Sequence, residues 1–434
     1  MKPVATLPGS YLQPQATSLP APLQALRRQR GEALADMPLP SRKTENWKYS
    51  SRRLKLADEL ATTLPVPHEG GSTQPAEGYT IVIRNGVVIR GSSRFPEING
   101  VEVLPFADLS DADAEFLASR LDDSLDTRNV QMAALNGARF EDGLLIRLAD
   151  NAVVDAPVFL VFETDASTSG SAYPRLYVDA GRNSQVTVVE EYINRGDEAA
   201  LVNAVSEYRL AGGAQVTSVR LTVETDTVQH VGATGVKQAR DSRFESHCVG
   251  FGGPLRRHDL QVRLEGEGAE CLLNGVAVTQ DRQHFDNHTC IEHVAPRCNS
   301  EETYRNIAAD QSQIVFNGRI HIHQDAQKSD ANLNNRNLLL STGAEIDTKP
   351  ELEIYADDVK CAHGATVGQL NEESLFYLVS RGIGRREAGV LLTMAFVNEL
   401  LEQIPVESVR ETAQEKLGRF IEKSFEDDAK KVLS

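Results

Sequence analysis

Asn332-Leu333-Asn334-Asn335-Arg336-Asn337 is the run on which the fold turns. Four asparagines in six residues weaken a helix and sit badly in a lone strand. In a coil of stacked strands the same amides hydrogen-bond from rung to rung as a ladder. The flanking sequence agrees. From about Phe140 to Val359 short apolar stretches recur, among them Leu144–Leu148, Val158–Phe162, Val186–Val189, Val216–Val223, Cys271–Val278 and Ile314–Ile322. Gly, Asn, Asp or Ser separates them, and no amphipathic helix intervenes. So many short strands exceed one simple sandwich, and the lack of a fixed repeat length argues against a propeller. The reading is a mainly β chain built on a β-solenoid with irregular turns; a double-sheet fold is the alternative.

Outside that core the patterns change. Residues 1–20 are rich in Pro, Gln, Ala and Ser and read as a flexible arm. Residues 21–64 form an N-terminal helical segment interrupted by Pro38 and Pro40, with the single tryptophan in Ser41-Arg-Lys-Thr-Glu-Asn-Trp47-Lys-Tyr49. Residues 65–139 hold a linker, a hairpin about Asn85-Gly86 and a short helix from Ser110 to Leu125. The core is set at 140–363 and a C-terminal helical domain at 364–434. In the latter, Asn371 is a good N-cap and Gly382 a stop, and Ala388, Leu391, Leu392, Ala395, Phe396, Glu399 and Leu400 trace the apolar face of a second helix.

At 434 residues the chain can bury a large core. A formal net charge of −17 argues against nucleic acid as a partner. Five cysteines without a C-x-x-C pair, no signal peptide and no apolar run long enough to span a bilayer predict a cytoplasmic chain with reduced thiols and no membrane contact. The P-loop pattern is absent, as are G-x-S-x-G and H-E-x-x-H.

Two groups of donors stand out. His284, His288, Cys290, His293 and Cys298 are zinc-type donors at spacings that match no standard module, and histidines on a solenoid face or at a subunit contact are the preferred reading. His321 and His323 share a strand face in the same way. The sharper pair is Cys361 and His363. At i and i+2 of a strand they project from one face, their Cα atoms about 6.5–7 Å apart, close enough to reach one iron or small cluster; a buried cysteine beside a structural histidine is the competing reading of the pair. Two ligands cannot close a site, so other donors must come from another subunit.

The run Cys361-Ala-His-Gly-Ala-Thr-Val-Gly-Gln-Leu370, followed by Leu375-Phe-Tyr-Leu378 and Ser380-Arg-Gly-Ile383, resembles the C-terminal signature of the SufB/SufD family of iron–sulfur cluster assembly. Ser41–Tyr49, Ala134–Gly143 and Pro350–Ile354 also match, in order. SufB-type chains carry His-Glu-Ala where this chain has His363-Gly364-Ala365, and a scaffold cysteine where it has Ala344, so the similarity is to the SufD side. The resemblance implies a right-handed parallel β-helix with helical ends and a non-catalytic scaffold role. It also implies pairing with SufB through the β-helix, and binding of the SufC ATPase by the C-terminal helices through Tyr377, Arg381, Gly382 and Ile383. His363, with Cys361, would complete a nascent cluster shared with SufB, the chain alone binding no cofactor. A homodimer is expected in isolation because the two partners share a fold, and a flavin in the complex is left open. The competing readings are a purely structural subunit and a stand-alone carbohydrate-active β-helix enzyme.

Overall fold

The computed structural model describes residues 6–13, 17–35, 37–66, 78–127 and 130–432, with side chains to residue 425. The chain coils as a parallel β-solenoid of about eight turns, with helices towards both termini. Strands alternate between two sheets along most of the core, each pairing in parallel with the strand one turn earlier. The step is uneven: Val216 partners Phe244, Ser300 partners Ala331, and Ala331 partners Cys361. That drift hides the repeat from a fixed-period reading.

The corners explain the punctuation. Asn183 (φ 55°), Asp241 (54°), Asp281 (54°) and Asp310 (57°) hold left-handed backbone, a conformation that Asn and Asp tolerate better than branched residues do. Between corners, alternate side chains point into the lumen, where Leu273, Leu333, Phe316, Ile320 and Ile322 pack in one continuous core. The asparagine run divides accordingly. Asn335 and Asn337 are buried, and the Asn306 amide donates to Asn337 Oδ1 across one rung at 2.8 Å. Asn337 donates in turn to Asn335 Oδ1 at 2.6 Å, whereas Asn332 is exposed.

The two ends of the coil differ. At the first, each sheet closes on an antiparallel strand: Val87–Val88 beside Tyr79–Arg84, and Val101–Pro105 beside Leu144–Leu148. The hairpin turns at Asn85 (φ 49°) and Gly86 (φ 88°), both left-handed as a tight turn demands. At the other end the sheets stop on the parallel strands Glu345–Ile354 and Lys360–Gly368, each paired on one side only.

Three helices, α1 (Ala21–Leu34), α2 (Asp111–Ala118) and α3 (Gln131–Arg139), form a second core on one sheet. Beyond α1, the segment read as helical to Leu64 is irregular, with only short 3-10 turns at Glu45–Trp47 and Asp58–Leu60. Pro38 and Pro40 cannot donate to a helix, and the chain is held instead by tertiary contacts. The stretch read as a flexible arm is packed where it is described: Tyr11 and Leu19 are buried, and Tyr11 Oη donates to the Ala57 carbonyl. Residues 1–5 and 14–16 of that arm, and 67–77 of the expected linker, lie outside the described residues.

The C-terminal helices α4 (Glu372–Ser380), α5 (Arg385–Leu401) and α6 (Glu407–Val432) follow the last strand. Val397, Leu400, Leu401, Leu417 and Ile421 bury against Val249, Val276, Val278, Ile307 and Leu338 on the outside of the other sheet. Burying such side chains contributes about 1.5–3 kcal/mol each. The Arg305 guanidinium donates to the Phe396 carbonyl and pairs with Glu399, which pins α5. The buried stripe of α5 is Ala388, Gly389, Thr393, Val397 and Leu400, and Leu391 is exposed, not inward as its spacing suggested. A helix apolar around most of its girth does not reveal which face is covered.

Candidate functional site

Cys361 and His363 lie on the last strand, at the open end of the solenoid. Register fixes where they point. Cys361 aligns with Ala331, Ser300 and Cys271, and His363 with Leu333, Glu302 and Leu273. Those partners are buried lumenal residues, so both side chains continue inward-facing columns. One turn earlier such positions are covered by the next rung; here, among the described residues, no further strand stacks on them. Residues 362–369 are exposed, and Cys361 is half-buried against the lumenal core.

The two donors differ in readiness. Burial, and the Asp330 carboxylate beside it, push the Cys361 thiol above its ordinary value. It therefore stays protonated at neutral pH, and a metal must displace the proton to bind sulfur. The His363 imidazole is exposed at the rim. Gly364 faces the other way, and a Cβ built there meets no atom within 4 Å. Thr348 on the neighbouring strand donates to Asn335 Oδ1 at 2.8 Å, so an amide lies in the floor below the mouth. Two lumenal turns below His363 sits Glu302, fully buried, its Oε1 accepting from Thr289 Oγ1 at 2.6 Å. Desolvation raises its pKa to about 8, so it is a neutral acid at physiological pH. Sequence spacing carried no sign of Glu302 or Asn335 as neighbours of this column, because their proximity is a matter of inter-turn register.

The other donor group disperses. His284 is buried against Ser50 at 2.8 Å, His288 pairs with Asp286 at 2.8 Å, and His293 turns into the lumen to Ser300 at 2.9 Å. Cys298 is buried with its thiol on the Gly266 carbonyl, and burial pushes the Cys290 thiol up to about 12. His321 and His323 lie side by side on the outer face with ring centroids 4.4 Å apart and planes tilted by 31°, near Glu353 and Glu292. Among the described residues no three His, Cys, Asp or Glu side chains are grouped to hold a metal ion. The Ser50–His284 contact is not a nucleophilic pair either: Ser50 Oγ donates to Asp286, and both residues are sealed from solvent.

A separate surface follows within a few residues. The Asn371 side chain caps α4 by accepting from the Ser374 N–H at 2.8 Å, and Gly382 (φ 91°) ends it. Phe376 is 73% exposed and Tyr377 57%, with Val379 and Leu391 also open to solvent. The Arg381 guanidinium lies 5.2 Å from the Tyr377 ring centroid, and Ile383 is half-buried. An apolar patch of this kind on a short helix marks a contact surface. Phe376 is its most exposed member and is absent from the contact residues that the resemblance implies.

Residues 162–396 match the SufBD core domain of the SUF system of FeS cluster assembly. The chain is 30% identical over 391 residues to the iron-sulfur cluster assembly protein SufD of Escherichia coli, covering 88% of this chain and 89% of that one. It is 32% identical over 405 residues to an iron-sulfur cluster assembly SufBD family protein of Synechocystis sp., covering 88% of each. A chloroplastic protein of Arabidopsis thaliana is 28% identical over 412 residues, covering 91% of this chain and 85% of the plant protein.

Proposed function

The chain belongs to the SufB/SufD family of the SUF system for iron–sulfur cluster assembly, and on that footing we propose that it is a non-catalytic scaffold subunit that completes a nascent cluster site with SufB. The observation that carries this reading is the inward-facing pair Cys361 and His363 on an edge strand above which, among the described residues, no further strand stacks. The cluster is cargo, held between subunits and passed on. His363 is the ligand, and the raised thiol of Cys361 makes it the secondary donor. Gly364 and Ala344 occupy the positions where SufB-type chains keep reactive groups, so the paralogue supplies the principal ones.

Pairing with SufB uses the open end. The exposed strand Lys360–Gly368 presents unpaired backbone N–H and C=O groups, a ready template for another chain. Exposed Val367, Ile354 and Tyr355 add apolar area at the same end. The same edge can pair with a second copy when the paralogue is absent. SufC docks on Phe376, Tyr377, Arg381, Gly382 and Ile383. Since α4 starts four residues after the ligand strand ends, movement of the ATPase reaches that strand through a short tether. The five unpaired thiols suit the reducing cytoplasm. Co-expression with both partners tests the assembly: the chain should co-purify with each. Failure to retain SufB when the edge strand is blocked by Val367→Lys is expected; unchanged retention would refute the pairing mode.

A further inference from the structure

The N-terminal strap, residues 41–55, carries Arg42, Lys43, Lys48, Arg52, Arg53 and Lys55 against the single carboxylate of Glu45, in a chain whose net charge is −17. We propose that this strap is a docking surface for an acidic protein that visits the open end of the solenoid.

Three observations support it. First, among the described residues none of the six cations forms an ion pair. Arg53 donates only to the Arg282 carbonyl, and Lys48 only to Tyr49 Oη. Exposed arginines elsewhere are commonly paired, as in Arg182–Asp150, Arg240–Asp241, Arg243–Glu245 and Arg263–Glu265. Second, the backbone under the patch is immobilised. Trp47 is 1% exposed, with the Arg257 guanidinium 4.1 Å from its ring centroid, and Arg257 in turn pairs with Asp259 and Asp286. Ser50 is tied to His284 and Asp286. Anchors buried this deeply fix the backbone that carries the exposed Arg42, Lys43, Lys48 and Arg52, so binding need order only their side chains. Tyr49, 38% exposed among them, is the residue type that interfaces favour. Third, the Lys349–Glu45 ion pair at 2.7 Å ties the strap to the strand Glu345–Ile354, the bare edge of its sheet. An acidic partner seated here stands beside the open end.

A long polyanion would run off the patch onto an acidic surface, whereas a compact acidic protein need not. The test does not use cluster chemistry, so its failure would leave the ligand role of His363 untouched. The full chain is titrated with a labelled oligoglutamate of about six residues, short enough to stay on the patch, and with oligothymidylate of equal charge, at about 50 mM salt, where screening is weak. Binding of oligoglutamate is expected, weakened about tenfold or more by the combined reversal of Arg42, Lys43, Arg52 and Arg53 to Glu. A control reversing four exposed or half-exposed cations on other elements, Arg28, Lys328, Arg336 and Lys416, has the same net charge and should bind nearly as the unaltered chain does. Circular dichroism verifies folding of both variants, and combined Gln substitution at the same four strap positions, expected to weaken binding to a lesser degree, replaces the reversal should it not fold. Equal loss in both variants, no binding at low salt, or tighter binding of oligothymidylate would each overturn the proposal.

Discussion

Glu302→Gln is the substitution whose effect the lumen specifies most closely. Glu302 is fully buried below the mouth, bonded to Thr289, with its pKa raised from an ordinary 4.5 to about 8 by desolvation. Between those values the folded chain holds a proton that the unfolded chain has released. Stability from this group is therefore complete below about pH 4.5 and is lost as pH rises through 8. The slope is about 1.4 kcal/mol per pH unit, or roughly 3 kcal/mol between pH 5.5 and 7.5. Glutamine keeps the shape and an acceptor for Thr289 Oγ1 but does not titrate. Urea unfolding of both proteins across that range should give curves that diverge with rising pH, Glu302→Gln losing about 3 kcal/mol less than the parent chain. Parallel curves would show that Glu302 is ionised or hydrated in the folded chain and would refute the sealed lumen.

Trp47→Ala removes the ring under Arg257 and should cost about 3–5 kcal/mol, read as a lower unfolding midpoint with the strap made susceptible to protease. Phe376→Asp with Tyr377→Asp alters only exposed side chains, so stability should stay within about 0.5 kcal/mol while SufC co-purification is lost. Gly364→Glu enters open space and should likewise change stability by less than about 0.5 kcal/mol, measured by denaturant midpoint. Alkylation of native protein should label Cys361 before Cys271 or Cys298, with a rate that climbs above neutral pH because its thiol pKa is raised.

Much of the fold was legible because a solenoid announces itself in punctuation. Asn and Asp at left-handed corners break apolar stretches, and the asparagine run places Asn337 against Asn306 as a ladder requires. The period was not legible, since turns of unequal length keep register in space without keeping it in sequence. For the site, the spacing of Cys361 and His363 told that they share a face. That this face looks into the lumen, and that no turn among the described residues covers it, follows only from inter-turn pairing and from where the coil stops. The tryptophan motif was visible as a motif, but its anchors Arg257 and Asp286 lie more than 200 residues away in the chain. Contacts of that range leave no local signature. The α5 stripe was misread for the opposite reason: apolar residues surround the helix, and the packing of Gly389 against Phe425 chose the buried side.

The central claim, that His363 holds the nascent cluster at the open end, is tested by iron and acid-labile sulfide content of the anaerobically reconstituted SufB–SufC complex with this chain. His363→Ala should leave all three subunits associated, because the side chain is exposed, and should lose most of the iron and sulfide. Full iron and sulfide in that variant would contradict the account.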